Sequence, residues 1–293
     1  IIGQALFPVW YFQGLERMKY ITIVNITSKL IFTIAIFVFI QNEDDYILVP
    51  ILNGLGFIIG GLYSIWIIHK HFYQKFAFQS TETIMIHFKD SSQFFLSRLS
   101  VSIYTSANAF VLGIFTNNTM VGYYSIAEKL YIAMQVIYHP IVNTIYPYLS
   151  KSKNIVLFIR LFFVICVINI LGVVFVYIFS IEIINIMFNI AYPEINTILL
   201  IFVTSSILHV PAIFLGYPFL AAFGYPKYAN LSVIYSSIFH LMGLVVLALL
   251  NQINIYSVAF MVLGTETMVF LTRLYYVKKS KLILIFNRNY KNE

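Results

Sequence analysis

Five ionisable side chains interrupt long apolar stretches of the sequence: Lys29, Arg98, Glu128, Lys129 and Glu266. A charge in the middle of a bilayer costs about 2.5–3.5 kcal/mol even on lenient scales, so such residues usually bind a ligand or pair with one another. Three cations against two anions favour an anionic ligand such as a phosphate. The alternative is structural, since Lys29 could form an ion pair with Glu266 or Glu128.

The usual signatures of catalysis and metal binding are absent from the sequence. Its six histidines form no HExxH motif, its one cysteine (Cys166) excludes a disulfide framework, and no GxxxxGK[ST] phosphate loop is present. We therefore predict no enzyme active site, no metal and no cofactor. The net charge of +7 indicates no nucleic-acid partner, because the basic residues follow membrane topology instead.

The elements that carry these charges must be membrane helices. Of the 293 residues, 60% are hydrophobic and 10% are charged, and the mean hydropathy is +0.87, whereas a soluble domain has roughly 25% charged residues. A helix needs about 20 apolar residues to span a bilayer. The sequence therefore predicts an all-α polytopic membrane protein with eight complete spans: Tyr20–Ile40, Ile47–Ile68, Ser92–Phe115, Tyr123–Leu149, Ile155–Phe179, Ile195–Ala221, Ala229–Leu250 and Ile255–Val277.

A ninth apolar run, Ile1–Phe12, is too short to span the bilayer. We interpret it as the tail of a helix whose start is missing, and we expect the chain to be a fragment of a longer protein.

The distribution of charge over the loops predicts the orientation of the spans. Lys and Arg residues fall on every second loop, and the loops between them carry none. Because basic loops stay on the cytoplasmic side, the C-terminus is predicted to be cytoplasmic. Arg160 and Arg273 lie near the cytoplasmic ends of their predicted helices, and we interpret them as interfacial anchors.

Four prolines lie inside two of the predicted spans, Pro140 and Pro147 in one, Pro211 and Pro218 in the other. Each proline removes an intrahelical hydrogen bond and can kink its helix. Broken helices often line the cavities of transporters, so we expect these four positions to be kinks with a role in transport.

Three stretches together resemble the polysaccharide flippases, the Wzx-type translocases of the multidrug/oligosaccharidyl-lipid/polysaccharide exporter superfamily. The first runs from Phe7 to Met18 and contains Trp-Tyr-Phe-Gln-Gly-Leu-Glu. The second is Phe-Phe-Leu-Ser-Arg at 94–98, followed by Asn108 and Val-Leu-Gly at 111–113. The third is Val-Gly-Tyr-Tyr-Ser-Ile-Ala-Glu-Lys-Leu at 121–130.

The resemblance implies a twelve-helix transporter with two lobes around a central cavity. Residues 1–70 would then end the first lobe, 71–91 would form a cytoplasmic connection, 92–277 would form the second six-helix lobe, and 278–293 a basic cytoplasmic tail. The protein would lie in the bacterial inner membrane.

The function implied by the resemblance is the flipping of an undecaprenyl-diphosphate-linked oligosaccharide to the periplasmic leaflet. Its partners would be that lipid, the bilayer, a polysaccharide polymerase and a chain-length regulator. The residues implied to contact substrate are Lys29, Arg98, Lys129, Asn108 and Tyr124, with Tyr104 and Tyr131 as further sugar-stacking surfaces. Glu128 and Glu266 would couple transport to an ion or form ion pairs. A drug or ion antiporter of the same superfamily and a membrane-embedded polymerase remain the alternatives.

The topology makes a direct prediction. Asp44, Asn118 and Asn251 should lie outside the cell, and Lys75, Lys151 and Lys278 inside, because only the second set belongs to basic loops. Labelling of single-cysteine variants in intact cells with a membrane-impermeant reagent tests this. Labelling at position 75 with none at position 44 would overturn the orientation.

Overall fold

The computed structural model describes residues 2–42, 45, 47–73, 77–189 and 192–280. Every regular element within these ranges is helical: α1 Ile2–Leu6, α2 Val9–Gly14, α3 Met18–Phe39, α4 Leu48–Phe72, α5 Thr81–Phe115, α6 Asn118–Val136, α7 His139–Ser152, α8 Ile155–Phe188, α9 Pro193–Phe214, a π-helical segment Leu215–Ala221, α10 Pro226–Leu249 and α11 Ile255–Lys279. The predictions for Asp44, Lys75 and residues 281–293 lie outside the described residues.

The chain divides into two compact units, Ile1–Thr83 and Ile84–Glu293. Residues 81–91, which we expect to belong to a connection between lobes, form the first three turns of α5. The lobe boundaries at residues 70 and 92 stay predictions.

The first unit is held together by close approach of α4 to α1 and α3. Small residues allow this, because Gly56 and Gly60 lie on the face of α4 that meets Ser28 of α3. A Cβ added at Gly56 would lie 2.8 Å from the Ser28 carbonyl oxygen, and one added at Gly61 would lie 2.7 Å from Cβ of Leu6. Backbone packing between these helices therefore depends on glycine.

The second unit is built around α9, which packs against α6, α8 and α11. One buried apolar cluster, which includes Tyr124, Phe202 and Val258, surrounds the first half of α9. A second cluster, which includes Phe158 and Phe219, surrounds the π-helical segment that follows α9. Most of α9 is therefore shielded from lipid, as expected for the central helix of a bundle.

Asparagine side chains determine where three helices of this unit begin. Asn117 accepts a hydrogen bond from the backbone N–H of Met120, and Asn154 accepts one from Leu157, each at 2.9 Å. Asn254 forms a capping box with Ser257 at the start of α11. Each side chain satisfies an N–H group that has no partner within the first helical turn.

Two predicted elements differ from the structure because of proline. The apolar run Ile1–Phe12 is two short helices, since Pro8 separates α1 from α2. The prediction of one helix over Tyr123–Leu149 is wrong: α6 ends at Val136 and α7 begins at His139. Pro140 lies in the first turn of α7, where a residue without an N–H group costs no hydrogen bond.

Six helices of the described part of the chain are long and apolar enough to cross a membrane: Met18–Phe39, Leu48–Phe72, Ile155–Phe188, Pro193–Ala221, Pro226–Leu249 and Ile255–Lys279. The predicted count of eight is thus not confirmed. α7 has 14 residues, about 21 Å at 1.5 Å per residue, which is shorter than a bilayer core of about 30 Å. α5 and α6 carry Arg98, Glu128 and Lys129, which lower their hydropathy.

Replacing Gly56 tests the packing of α3 on α4. We expect Gly56→Ala to lower the thermal unfolding midpoint of the purified protein, because its Cβ would collide with backbone and overpacking costs about 1–3 kcal/mol. Gly54→Ala on the same helix is the matched control, since a Cβ there meets nothing within 4 Å. Equal midpoints for the two variants would contradict this account of the interface.

Candidate functional site

Glu266 lies against His209 inside the second unit. Its Oε2 lies 2.8 Å from Nδ1 of His209, which places α11 against α9. Both side chains are largely shielded, with 7% of Glu266 and 17% of His209 exposed. The ring of Tyr131 lies 6.2 Å from the His209 ring and meets it edge-on. The deep carboxylate thus has a partner on another helix.

Asn108 belongs to a second buried network, centred on His240. The Nε2 atom of His240 lies 2.8 Å from Oδ1 of Asn108, and its Nδ1 lies 2.7 Å from Oγ1 of Thr265. His240 is fully buried and Asn108 is 1% exposed. One imidazole therefore links α5, α10 and α11.

The hydrogen bonds of this network depend on the tautomer of His240. The Thr265 hydroxyl lies 2.7 Å from both the Met261 carbonyl and Nδ1 of His240, and its single hydrogen can be donated to only one of them. If it is donated to Met261, Nδ1 of His240 carries a hydrogen and donates to the Thr265 oxygen. If it is donated to Nδ1, a neutral imidazole carries its hydrogen on Nε2 and donates it to Oδ1 of Asn108. The tautomer of His240 and the orientation of the Asn108 amide are thus coupled.

The tyrosines expected to stack on sugars are buried. Tyr124 is 0% exposed and packs edge-on against Phe202, with 5.3 Å between ring centroids. Tyr131 is stacked on the same Phe202, and Tyr104 lies 5.2 Å from the His240 ring. None of the three offers an open ring face in this conformation, so their contact with substrate stays a prediction.

The predicted cations are more accessible. Arg98 on α5 and Lys129 on α6 are exposed, and Glu128 beside Lys129 is half-buried. Lys29 belongs to the first unit and is exposed on α3, about 16 Å from the start of its helix at 1.5 Å per residue. It lines an open pocket of about 350 Å³ together with Ser28, Phe32, Thr33, Asn53 and Phe57.

Arg273 is the clearest correction to the sequence interpretation. It is not an interfacial anchor, because it is 6% exposed and lies among α9, α10 and α11. Its Nε donates to Ser232 at 3.0 Å, and its Nη1 donates to the carbonyl of Ala212. Depth along the helix suggested a residue near the surface, but neighbouring helices cover it.

The four prolines occupy different settings. Pro140 begins α7, Pro147 lies inside α7, and Pro211 lies inside α9. Pro218 lies in the π-helical segment, where Gly216 departs from helical geometry with ψ of −106°. Their role in transport stays a prediction.

Sequence reasoning missed His209, His240, Thr265 and Arg273. The sequence did contain a signal for the two histidines, because both interrupt apolar spans. Ionisable residues within membrane spans usually have a function. Their partners were not readable, because Asn108 and His240 are 132 residues apart. No group of three or more His, Cys, Asp or Glu residues that could hold a metal occurs within the described ranges.

These apolar helices, with polar networks buried between them, define an α-helical polytopic membrane protein. The chain belongs to the family described as polysaccharide biosynthesis protein, whose match covers residues 1–153. All three motifs on which the family resemblance rests lie within that range, and the resemblance is confirmed.

Two curated relatives agree with this family. A Shigella dysenteriae protein is 31% identical over 154 residues, which are 53% of this chain and 39% of the relative. An Escherichia coli K12 protein is 26% identical over 153 residues, 52% of this chain and 37% of the relative. Both carry the name "Putative O-antigen transporter". The matched region thus spans less than half of either relative, and no solved structure matches significantly.

The His240 network can be tested by removing one partner. Thr265→Val keeps the shape of the side chain but leaves Nδ1 of His240 without its hydrogen-bond partner, which typically costs about 1–3 kcal/mol. We expect a lower thermal unfolding midpoint in the purified protein. Thr267→Val is the matched control on the same helix, because its hydroxyl bonds only to the Leu263 carbonyl. If both variants unfold at one temperature, the network does not stabilise the unit.

Proposed function

We propose that this protein forms part of a transporter. The transporter moves an oligosaccharide that is linked to undecaprenyl diphosphate across the bacterial inner membrane. It makes and breaks no covalent bond, and it works by alternating access. Family membership and the names of the two relatives support the transport of a polysaccharide precursor. The protein is multi-pass, with its C-terminus in the cytoplasm, as the basic loops favour.

The observation that carries the proposal is the setting of Lys29. It lies near the middle of a 22-residue apolar helix, and it lines an open pocket with the polar side chains of Ser28, Thr33 and Asn53. Among the described residues of its own unit, it forms no ion pair. A cation at this depth is costly unless it faces water or an anion. A diphosphate group supplies that anion.

The other exposed cations extend this picture. Arg98 and Lys129 are the second-unit residues that we propose to contact the diphosphate or acidic sugars. Both are accessible and neither has an ion-pair partner within the described residues. Arg98 belongs to the matched family region and to the motif at 94–98. A polymerase and a chain-length regulator are the proteins that would receive the translocated substrate.

Substitution of Lys29 in the protein encoded by the intact gene tests the proposal. We expect Lys29→Ala to abolish surface polysaccharide in a deletion strain while the protein accumulates normally, because the pocket loses its cation. Lys29→Arg should retain part of the activity, since the charge remains although its geometry changes. The measurement is surface polysaccharide per unit of membrane-inserted protein.

Lys19→Ala is the matched control, because Lys19 is an exposed lysine at the start of the same helix and outside the pocket. It should support normal surface polysaccharide. Wild-type transport by Lys29→Ala at wild-type abundance would refute the role of Lys29. Loss of accumulation in Lys29→Ala would assign the residue to folding instead.

A further inference from the structure

The π-helical segment Leu215–Ala221, here the π segment, is a break in hydrogen bonding at the end of α9. Pro218 has no N–H group, so the carbonyl of Phe214 loses its ordinary partner four residues on. The chain responds with a wider turn, in which the N–H of Ala222 bonds to the carbonyl of Tyr217, five residues back. Such single-turn widenings within helices are often functional.

At the start of the π segment, Arg273 from α11 supplies donors. Its Nη1 bonds to the carbonyl of Ala212, and its Nε bonds to Ser232 on α10. The guanidinium lies directly against Gly216, because a Cβ added there would be 2.7 Å from Nη1 and 2.8 Å from Cζ. A side chain at position 216 would therefore displace the guanidinium.

At the end of the π segment, Lys153 supplies a further donor. The carbonyl of Ala222 lies where the helix ends, because Gly224 has a φ of 98° and the bond from the N–H of Tyr225 to the Leu220 carbonyl closes the last turn. The Nζ of Lys153, at the C-terminus of α7, donates to this carbonyl and lies 5.8 Å from the centre of the Phe223 ring. Two cations from two other helices thus bond the carbonyls on either side of one break.

We propose that Arg273 and Lys153 are positioning residues that clamp the π segment and set the conformation of this end of α9. Arg273 donates to a carbonyl in the last turn of α9, and Lys153 donates to the carbonyl that follows the π segment, so that one cation holds each end. Because α7, α10 and α11 all contact the π segment, releasing either cation would free this end of α9 from its neighbours. Its use during transport rests on the function proposed above.

Hydrogen–deuterium exchange of the purified full-length protein tests the clamp without any substrate. In Arg273→Gln we expect exchange over residues 212–225 to rise by about tenfold, because the segment loses a charge-assisted hydrogen bond. Lys153→Gln should raise exchange mainly over 219–225. Arg160→Gln and Lys227→Gln, which replace exposed cations that make no clamp contact, should leave this region unchanged.

A double substitution separates clamping from general destabilisation. Gly216→Ala should displace the guanidinium and raise exchange over 212–225 as Arg273→Gln does. Combined with Arg273→Gln, it should add little, since the clash has been removed. Unchanged exchange in Arg273→Gln, or a rise spread evenly over α8–α11, would overturn the clamp. If the glutamine variant fails to accumulate, Arg273→Lys replaces it in the experiment. This variant should show an intermediate rise in exchange over residues 212–225. Unchanged exchange in Arg273→Lys, or a rise spread evenly over α8–α11, would also overturn the clamp.

Transport is measured separately in the deletion strain. Arg273→Gln should reduce surface polysaccharide at normal protein abundance, and Arg160→Gln should not. Full transport by Arg273→Gln would overturn the role of the clamp in transport. Absence of a polysaccharide phenotype in the deletion strain itself would refute the proposed function and would leave the exchange result standing.

Discussion

A carbonyl or N–H group exposed by a helix break within a membrane protein has to find its partner in the protein, because hydrocarbon offers none. The second unit meets this constraint at the end of α9. The π segment interrupts the α-helical bonding there, and the side chains of Arg273 and Lys153 donate to the carbonyls of Ala212 and Ala222 on either side of it. The buried arginine thus has backbone and hydroxyl partners inside the protein, at Ala212 and Ser232.

The same constraint organises the polar side chains deeper in this unit. His240 bonds to Asn108 and Thr265, and Glu266 pairs with His209, so each network joins helices that are remote in sequence. Lipid provides no hydrophobic drive for helices to associate, so packing and hydrogen bonds have to hold the bundle together. Any rearrangement of these helices during transport would have to exchange such partners in concert.

The charged side chains of the two units have different surroundings. In the second unit, Glu266 and Arg273 are buried and bonded, which is typical of structural or positioning groups. In the first unit, Lys29 is exposed and lines a pocket together with polar and aromatic side chains. The family match covers residues 1–153 and therefore includes Lys29, Arg98 and Lys129, whereas His209, His240, Glu266 and Arg273 lie beyond it.

The sequence by itself determined that this is an α-helical membrane protein and identified its family. Hydropathy is a sum over neighbouring residues, and the motif around Trp10 is a local pattern, so neither depends on how the helices pack. The break before Pro140 and the separation of α1 from α2 at Pro8 also have local causes; the sequence predicted a kink at Pro140, but not that one helix ends and another begins there. Tertiary structure alone decided that Arg273 is buried, that Glu266 meets His209, and that Tyr124 is part of the core. Those outcomes depend on which helices pack against each other, because partners 41 or more residues apart are brought together only by packing.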